Sequence, residues 1–376
     1  MPNKHTFKYN LRNYDILLVI LLFTITIIGI FAIGSAKESV QSRQIAGFIV
    51  GAILMLIISF IDYKFIIKFQ WPIYIINMIL LLLVQIMGTS SNNAQRWVEI
   101  MGIRFQPSET AKILLILFYA QFIMKHEEKF NVLSNLLKYV VLILPPWILI
   151  YKQPDLSTSI VLILVFCALM YTGGLSKKII IGLLAIIVPV FLIGLFLVVQ
   201  PESTILEEYQ QERILAWIYP QKYRLTTAYQ QNNSIIAIGS GQLWGKGLNN
   251  DDVDSVKNGN YISEPQTDFI FAIIGEEMGF VGCLSIIILE LLIAIECFNV
   301  GRFAKDMAGR VICAGMGSLV MFQSFINISV ATGIMPNTGL PLPFVSYGLT
   351  SLVSLFIGMG FVLNVGLQRV YPKGLY

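Results

Sequence analysis

Ten apolar runs divide the chain, near residues 14–35, 44–62, 66–87, 107–124, 136–151, 157–173, 178–199, 268–297, 311–332 and 344–367. No other feature restricts the fold as strongly. Hydrocarbon offers no hydrogen bonds, so a segment crossing it must satisfy its own backbone, which a helix of about 20 residues does. The runs therefore predict ten transmembrane helices in an all-α polytopic membrane protein, a single domain over 1–376. Composition agrees: 56% of the 376 residues are hydrophobic and 13% charged, too apolar for a soluble chain of this size. The run at 136–151 is short and holds Pro145 and Pro146. The run at 268–297 is longer than a bilayer needs and is expected to tilt or protrude. The first run is too long for a signal-peptide core and lacks a small-residue cleavage pattern, so it reads as an uncleaved span.

Orientation follows from Lys and Arg, which gather on the cytoplasmic side. With the N-terminus inside, the cytoplasmic segments hold 15 of them: Lys4, Lys8, Arg12, Lys64, Lys68, Lys125, Lys129, Lys138, Lys177, Lys178, Arg302, Lys305, Arg310, Arg369 and Lys373. The short external loops hold 5: Lys37, Arg43, Arg96, Arg104 and Lys152. Both termini are thus expected inside, and the one long loop, 200–266, outside. The first half of that loop mixes Arg and Lys with Trp217, Tyr219, Tyr223 and Tyr229. That mixture suits a segment lying against headgroups, and equally an ordinary solvated loop.

Several functions are disfavoured. Cys167, Cys283, Cys297 and Cys313 lie in or beside apolar stretches without paired spacing, so they read as buried side chains and not as disulfides or a zinc site. His5 and His126 are far apart, which speaks against a His-based site. The net charge of +4 is spread out and offers nothing to nucleic acid. "GSGQLWGKG" (239–247) lacks the spacing of a phosphate-binding loop, and Gly247 stands where Ser or Thr is needed. Its glycines suit close approach of backbone to a ligand or another helix.

Four segments at the predicted outer face carry charge into apolar surroundings. In "RFQPSETAK" (104–112), Pro107 fits a first helical turn and Glu109 sits near its positive end. Glu109 and Lys112 share a helix face, where they either neutralise each other or mark a pathway. In "QPDLSTS" (153–159), Pro154 and Asp155 open the sixth span, with Asp155 suited to a cap. "NTGLPLPFVSYGLTS" (337–351) has the Pro and Gly density of a broken segment, tolerable only where buried in protein or lining a cavity. "EPQTDFIFAIIGEE" (264–277) puts Asp268 at the threshold of the eighth span and Glu276 and Glu277 roughly 12 Å deeper at 1.5 Å per residue. Together these segments suggest a cavity for a polar, anionic, lipid-linked substrate.

The motifs "RWVEIMGIRFQPSETAK", "QPDLSTS", "AYQQNNSIIAIGSGQLWGKGL", "TDFIFAIIGEEMGFVG" and "MPNTGLPLPFVSYG" occur in this order. By them the chain resembles, over nearly its whole length, the SEDS family (shape, elongation, division and sporulation proteins), which contains RodA, FtsW and SpoVE. The short tails favour a RodA-like assignment. The resemblance implies a ten-helix peptidoglycan glycosyltransferase in the bacterial cytoplasmic membrane. It would polymerise lipid II, the undecaprenyl-linked disaccharide-pentapeptide, at the outer face beside a class B penicillin-binding protein, in elongation, division or sporulation. The family aspartate tied to activity corresponds to Asp268, and the tryptophan ahead of QPSE to Trp97. Gln266, Ser157, Leu349 and Thr350 depart from the family pattern, in which His, Gly and a second Gly–Ser pair are usual.

Chain growth needs a sugar 4-hydroxyl to attack the anomeric carbon of a lipid-linked donor and expel undecaprenyl pyrophosphate. A carboxylate base helps such a step by ~10²–10⁴-fold, and cations or backbone N–H groups hold the leaving charge. Asp268 is the expected base. The expected substrate-binding set is Trp97, Gln106, Glu109, Lys112, Gln153, Asp155, Arg213, Glu264 and Ser346, with Lys112 and Arg213 facing the pyrophosphate. A divalent cation, Mg or Mn, is an optional bridge, and no cofactor is otherwise implied. Glu276 and Glu277 are expected to serve structural pairing or packing on a partner helix. The rival readings are a lipid II flippase, which would want charge on both sides of the midplane, and a non-catalytic scaffold, which would tolerate loss of Asp268.

Overall fold

A helix forms at each of the ten apolar runs. The computed structural model describes residues 9–91, 94–100, 103–153, 155–200, 208–249, 255–257, 259 and 261–370. Lys4, His5, Lys8, Pro154, Lys373 and parts of the long loop lie outside these residues. In chain order the helices are α1 (Ile16–Ala36), α2 (Glu38–Ser59), the short α3 (Tyr63–Ile67), α4 (Gln70–Met87), α5 (Pro107–Lys125), α6 (Leu133–Tyr151), α7 (Leu156–Thr172), α8 (Lys177–Val199), α9 (Glu208–Ile218), α10 (Tyr229–Ser240), α11 (Ile270–Arg302), α12 (Met307–Ala331) and α13 (Leu349–Leu367). Among the described residues seven of them, α1, α2, α4, α6, α11, α12 and α13, are long and apolar enough to cross a membrane, and α7 is a shorter apolar helix. Pro145 and Pro146 are carried inside α6 without ending it.

The core is built around α12, which packs against α5, α7, α10, α11 and α13. Much of α12 and α13 is buried, whereas α2 and α4 expose Ile, Leu and Val along one side, as lipid-facing helices should. Hydrogen bonds set the arrangement of the ends. The N-termini of α5, α7, α11 and α13 and the C-termini of α1 and α12 share one end of the bundle, joined by Gln106–Asp155, Gln106–Thr350, Ser35–Glu277 and Asn327–Asp268 contacts. At the other end Asp306 caps α12 and meets Lys64, while Arg369 meets Asp15.

Two features depart from an all-helical reading. Between α4 and α5 the chain forms a small antiparallel sheet of β1 (Thr89–Ser91), β2 (Ala94–Ile100) and β3 (Ile103–Phe105) in the order β1-β2-β3. Thr89 pairs with Trp97 and Glu99 with Arg104.

The second is a break in α11. The long run does not simply tilt: Gly279 adopts φ 64° and ψ −161° inside it, a conformation open to glycine and strained for other residues. The freed backbone groups are met by the segment after α10. Lys246 N and Gly247 N donate to the carbonyls of Glu276 and Glu277 at 2.9 Å, while Phe280 N and Val281 N donate to Gln242 O and Leu243 O. Irregular backbone at membrane depth persists when protein satisfies it in this way. Gly241 is the contact point, since a Cβ there would stand 1.9 Å from Gly275 O.

Candidate active site

Asp268 sits two residues before α11, half-buried, with its main chain held on three consecutive carbonyls. Gln266 O accepts from Tyr347 N (2.8 Å), Thr267 O from Ser346 Oγ (2.5 Å) and Asp268 O from Asn327 Nδ2 (2.9 Å). The Pro- and Gly-rich stretch between α12 and α13 supplies two of these bonds, which explains why it is buried without being helical. Gly339, at φ +72°, lies beside the carboxylate; a Cβ there would be 3.3 Å from Asp268 Oδ2.

The surrounding charges are of both signs. Burial raises the pKa of Asp268; the guanidinium groups of Arg96 and Arg213 pull it down, and Asp155 and Glu264 push it up again, with a net rise. Arg96 comes from β2, where its Nη1 is 3.8 Å from Asp155 Oδ1. Arg213 comes from α9, where its Nη1 donates to Asn337 O (3.5 Å). Asp155 caps α7 by accepting from Thr158 N (3.2 Å) and also accepts from Ser108 Oγ (3.4 Å) and Gln106 Nε2 (3.5 Å). The carboxylate that caps α7 is therefore also the one that faces Arg96. Trp97 follows Arg96 on the strand and is half-buried.

The structure thus brings Asp268, Asp155, Arg213, Gln106, Glu264 and Ser346 to one end of the bundle, with Trp97 beside Arg96 on β2. Glu264 stands at the rim, exposed and paired with Lys37 at 3.5 Å. Ser346 acts on the backbone, accepting from Leu342 N and donating to Thr267 O. Gln153 is buried, donating to Leu81 O at 2.9 Å.

Glu109 and Lys112 take the mutually neutralising arrangement. Lys112 Nζ donates to Glu109 Oε1 (2.7 Å) and Gln323 Oε1 (2.8 Å), and Ser351 Oγ donates to Glu109 Oε2 (2.6 Å). Both side chains are 2% exposed, so the ammonium faces protein and not an open volume. Glu276 and Glu277 fasten the loop. Glu276 accepts from Lys246 Nζ (2.8 Å) and Val256 N (2.9 Å), and Glu277 from Lys257 Nζ (2.7 Å) and Ser35 Oγ.

Reasoning from sequence passed over Arg96, Gln323 and Asn327. Arg96 stands directly before Trp97, and only the strand shows that it faces Asp155. Gln323 and Asn327 are amides four apart inside an apolar run, a pattern that polar residues within a span should flag.

The model of the FtsW/RodA/SpoVE family, described as cell cycle proteins, matches residues 7–371. This chain belongs to the SEDS family. Among curated SEDS proteins, the peptidoglycan glycosyltransferase MrdB of Escherichia coli K12 is 33% identical over 370 residues, covering 98% of this chain and 97% of MrdB. The probable peptidoglycan glycosyltransferase FtsW of Bacillus subtilis is 31% identical, over 97% of this chain and 94% of FtsW. Among solved SEDS structures, RodA of Thermus thermophilus superposes with a TM-score of 0.68 at 26% identity, covering 96% of this chain and 98% of that one. A chain from a peptidoglycan synthase complex that coordinates polymerization and crosslinking gives 0.77 at 28% identity, covering 95% and 98%.

Proposed function

We infer that this chain is a peptidoglycan glycosyltransferase of cell-wall synthesis, polymerising lipid II at the outer face of the cytoplasmic membrane through ten spans with both termini inside. One observation carries the reading: a half-buried carboxylate, Asp268, at the mouth of α11 with two guanidinium groups beside it. In the proposed step the acceptor's 4-hydroxyl oxygen bonds to the donor's anomeric carbon and gives its proton to Asp268. The bond from that carbon to the pyrophosphate oxygen breaks, and undecaprenyl pyrophosphate leaves with the electron pair. Arg96 and Arg213 face the developing negative charge, in the place first given to Lys112. Preorganised donors of this kind are worth several kcal/mol in a site that excludes water.

The donor set does not fit a resident divalent ion. No three Asp, Glu, His or Cys side chains cluster among the described residues, and Asp155 is already engaged by a helix N–H, a hydroxyl and an amide. A penicillin-binding protein as partner is supported by the likeness to the synthase complex. The site's charges gather at one end of the bundle, which favours an enzyme over a flippase.

The test is glycan synthesis from lipid II by purified protein, with and without the partner and with transpeptidation blocked. Asp268→Asn is expected to abolish polymer while the variant still folds and inserts. Near-normal polymer from that variant would remove Asp268 as the base, and translocation without polymer would favour the flippase.

A further inference from the structure

We propose that Asn327 of α12 is a positioning residue for Asp268, and that Gln323 one turn away ties the same element to the buried Glu109–Lys112 pair. The proposal rests on the reading of Asp268 as base.

Asn327 is 1% exposed, and its hydrogen bond to Asp268 goes to the main chain and not to the carboxylate. Its Nδ2 serves two carbonyls at once, Asp268 O at 2.9 Å and Leu340 O at 2.6 Å, while its Oδ1 has no hydrogen-bond partner. The donated bonds are therefore what the residue contributes. Gln323 lies four residues earlier, on the same helix face. Its Nε2 donates to Pro341 O at 2.9 Å, and its Oε1 accepts from Lys112 Nζ at 2.8 Å. Two amides from one stripe of α12 thus grip the successive carbonyls of Leu340 and Pro341.

Those carbonyls follow Gly339, which forms the wall beside Asp268 Oδ2. Asn327 consequently fixes both sides of one gap: the backbone that carries the carboxylate and the loop that faces it. Burying a polar amide within a span is costly unless its hydrogen bonds are made. Here they are spent on that gap. Displacements of about 1 Å around a reacting group can cost on the order of 10²-fold in rate. The Glu109–Lys112 pair enters the same chain of contacts through Gln323, which gives a buried ion pair a physical route to a site it does not touch.

The experiment compares lipid II polymerisation by the full-length protein, with its partner, for the parent, Asn327→Leu and Asn327→Gln. Asn327→Leu keeps the branched shape and heavy-atom count of the side chain and removes both donated bonds. It is expected to lower kcat by on the order of 10²-fold with KM for lipid II near the parental value, and to move the acid limb of the pH–rate profile. Asn327→Gln, which restores an amide donor, should recover part of kcat. Thermal unfolding in detergent reports folding; should Asn327→Leu fail to fold, Asn327→Ser reads the same split. Parental kcat and acid limb in Asn327→Leu would overturn the proposal, as would a loss confined to KM or one that follows lost thermal stability without rescue by Gln. Asp268→Asn run alongside separates the two failures. If it is inactive while Asn327→Leu is fully active, only the positioning role falls; if it polymerises normally, the base reading falls and the inference with it.

Discussion

Asp268 has to be charged to act as a base, yet its surroundings oppose the charge. Burial lifts its pKa and outweighs the pull of Arg96 and Arg213. Two consequences follow with definite sign. Activity should rise with pH across an acid limb above the ordinary range of an aspartate, and Arg213→Gln, which removes a lowering influence, should move that limb to higher pH in a pH–rate profile. A limb that stays or moves down would contradict the arrangement. For stability, a folded-state pKa above the unfolded value gives a contribution present below the unfolded pKa and lost as pH rises through the folded one. Asp268→Asn should therefore melt higher than the parent at neutral pH, with the difference vanishing in acid. At this scale the sequence was most legible where a charge stood against apolar neighbours, as at Asp268 and Asp155. It was least legible where a fold contact decides the role. Spacing put Glu109 and Lys112 on one face but could not say that Gln323 and Ser351 would close around them. Three of the four departures from the family pattern make hydrogen bonds around the candidate site. Ser157 Oγ donates to Thr338 O, Gln266 Nε2 donates to Glu264, and Thr350 Oγ1 accepts from Gln106 N and donates to Arg104 O, both at 3.3 Å.

At the scale of elements, the apolar runs foretold every long helix because hydrocarbon leaves the backbone no other partner. The breaks were harder to see. Glu276 and Glu277 mark a polar spot just before Gly279, but nothing in the run 268–297 distinguishes Gly279 from Gly275 or Gly282 as the point where α11 turns. The decisive partner, "GSGQLWGKG", lies about thirty residues earlier. Small strands such as β2 are equally hidden, because a few residues of alternation between turns carry little pattern. The joint between the loop and α11 yields a prediction. Gly241→Val would push a side chain into Gly275 O, and overpacking of this kind costs about 1–3 kcal/mol. The variant should show a lowered melting temperature and faster proteolysis within 239–257. Unchanged stability and proteolysis would mean that the loop does not depend on this joint.

In the proposed topology the end of the bundle that collects the site faces outward and the opposite end, with most of the cations, faces the cytoplasm. The positive-inside bias supports this orientation. The hydrogen bonds at the two ends require alternation of the helices: α5, α7, α11 and α13 all begin where α1 and α12 finish. With the N-terminus inside, an even number of spans before α11 would leave Asp268 facing the cytoplasm, where no lipid II polymerisation at the outer face could use it. Single cysteines test this directly. Cys283, Cys297 and Cys313 are buried and Cys167 lies within an apolar helix, so a membrane-impermeant maleimide should leave the parent nearly unlabelled. In intact cells Thr226→Cys should label readily, whereas Glu128→Cys and Lys305→Cys, equally exposed in the structure, should label only after the membrane is permeabilised. Labelling of Lys305→Cys in intact cells would invert the molecule and remove the outer-face assignment of Asp268. The reverse pattern at Glu128 alone would instead place the error between α5 and α8 and leave the site at the outer face.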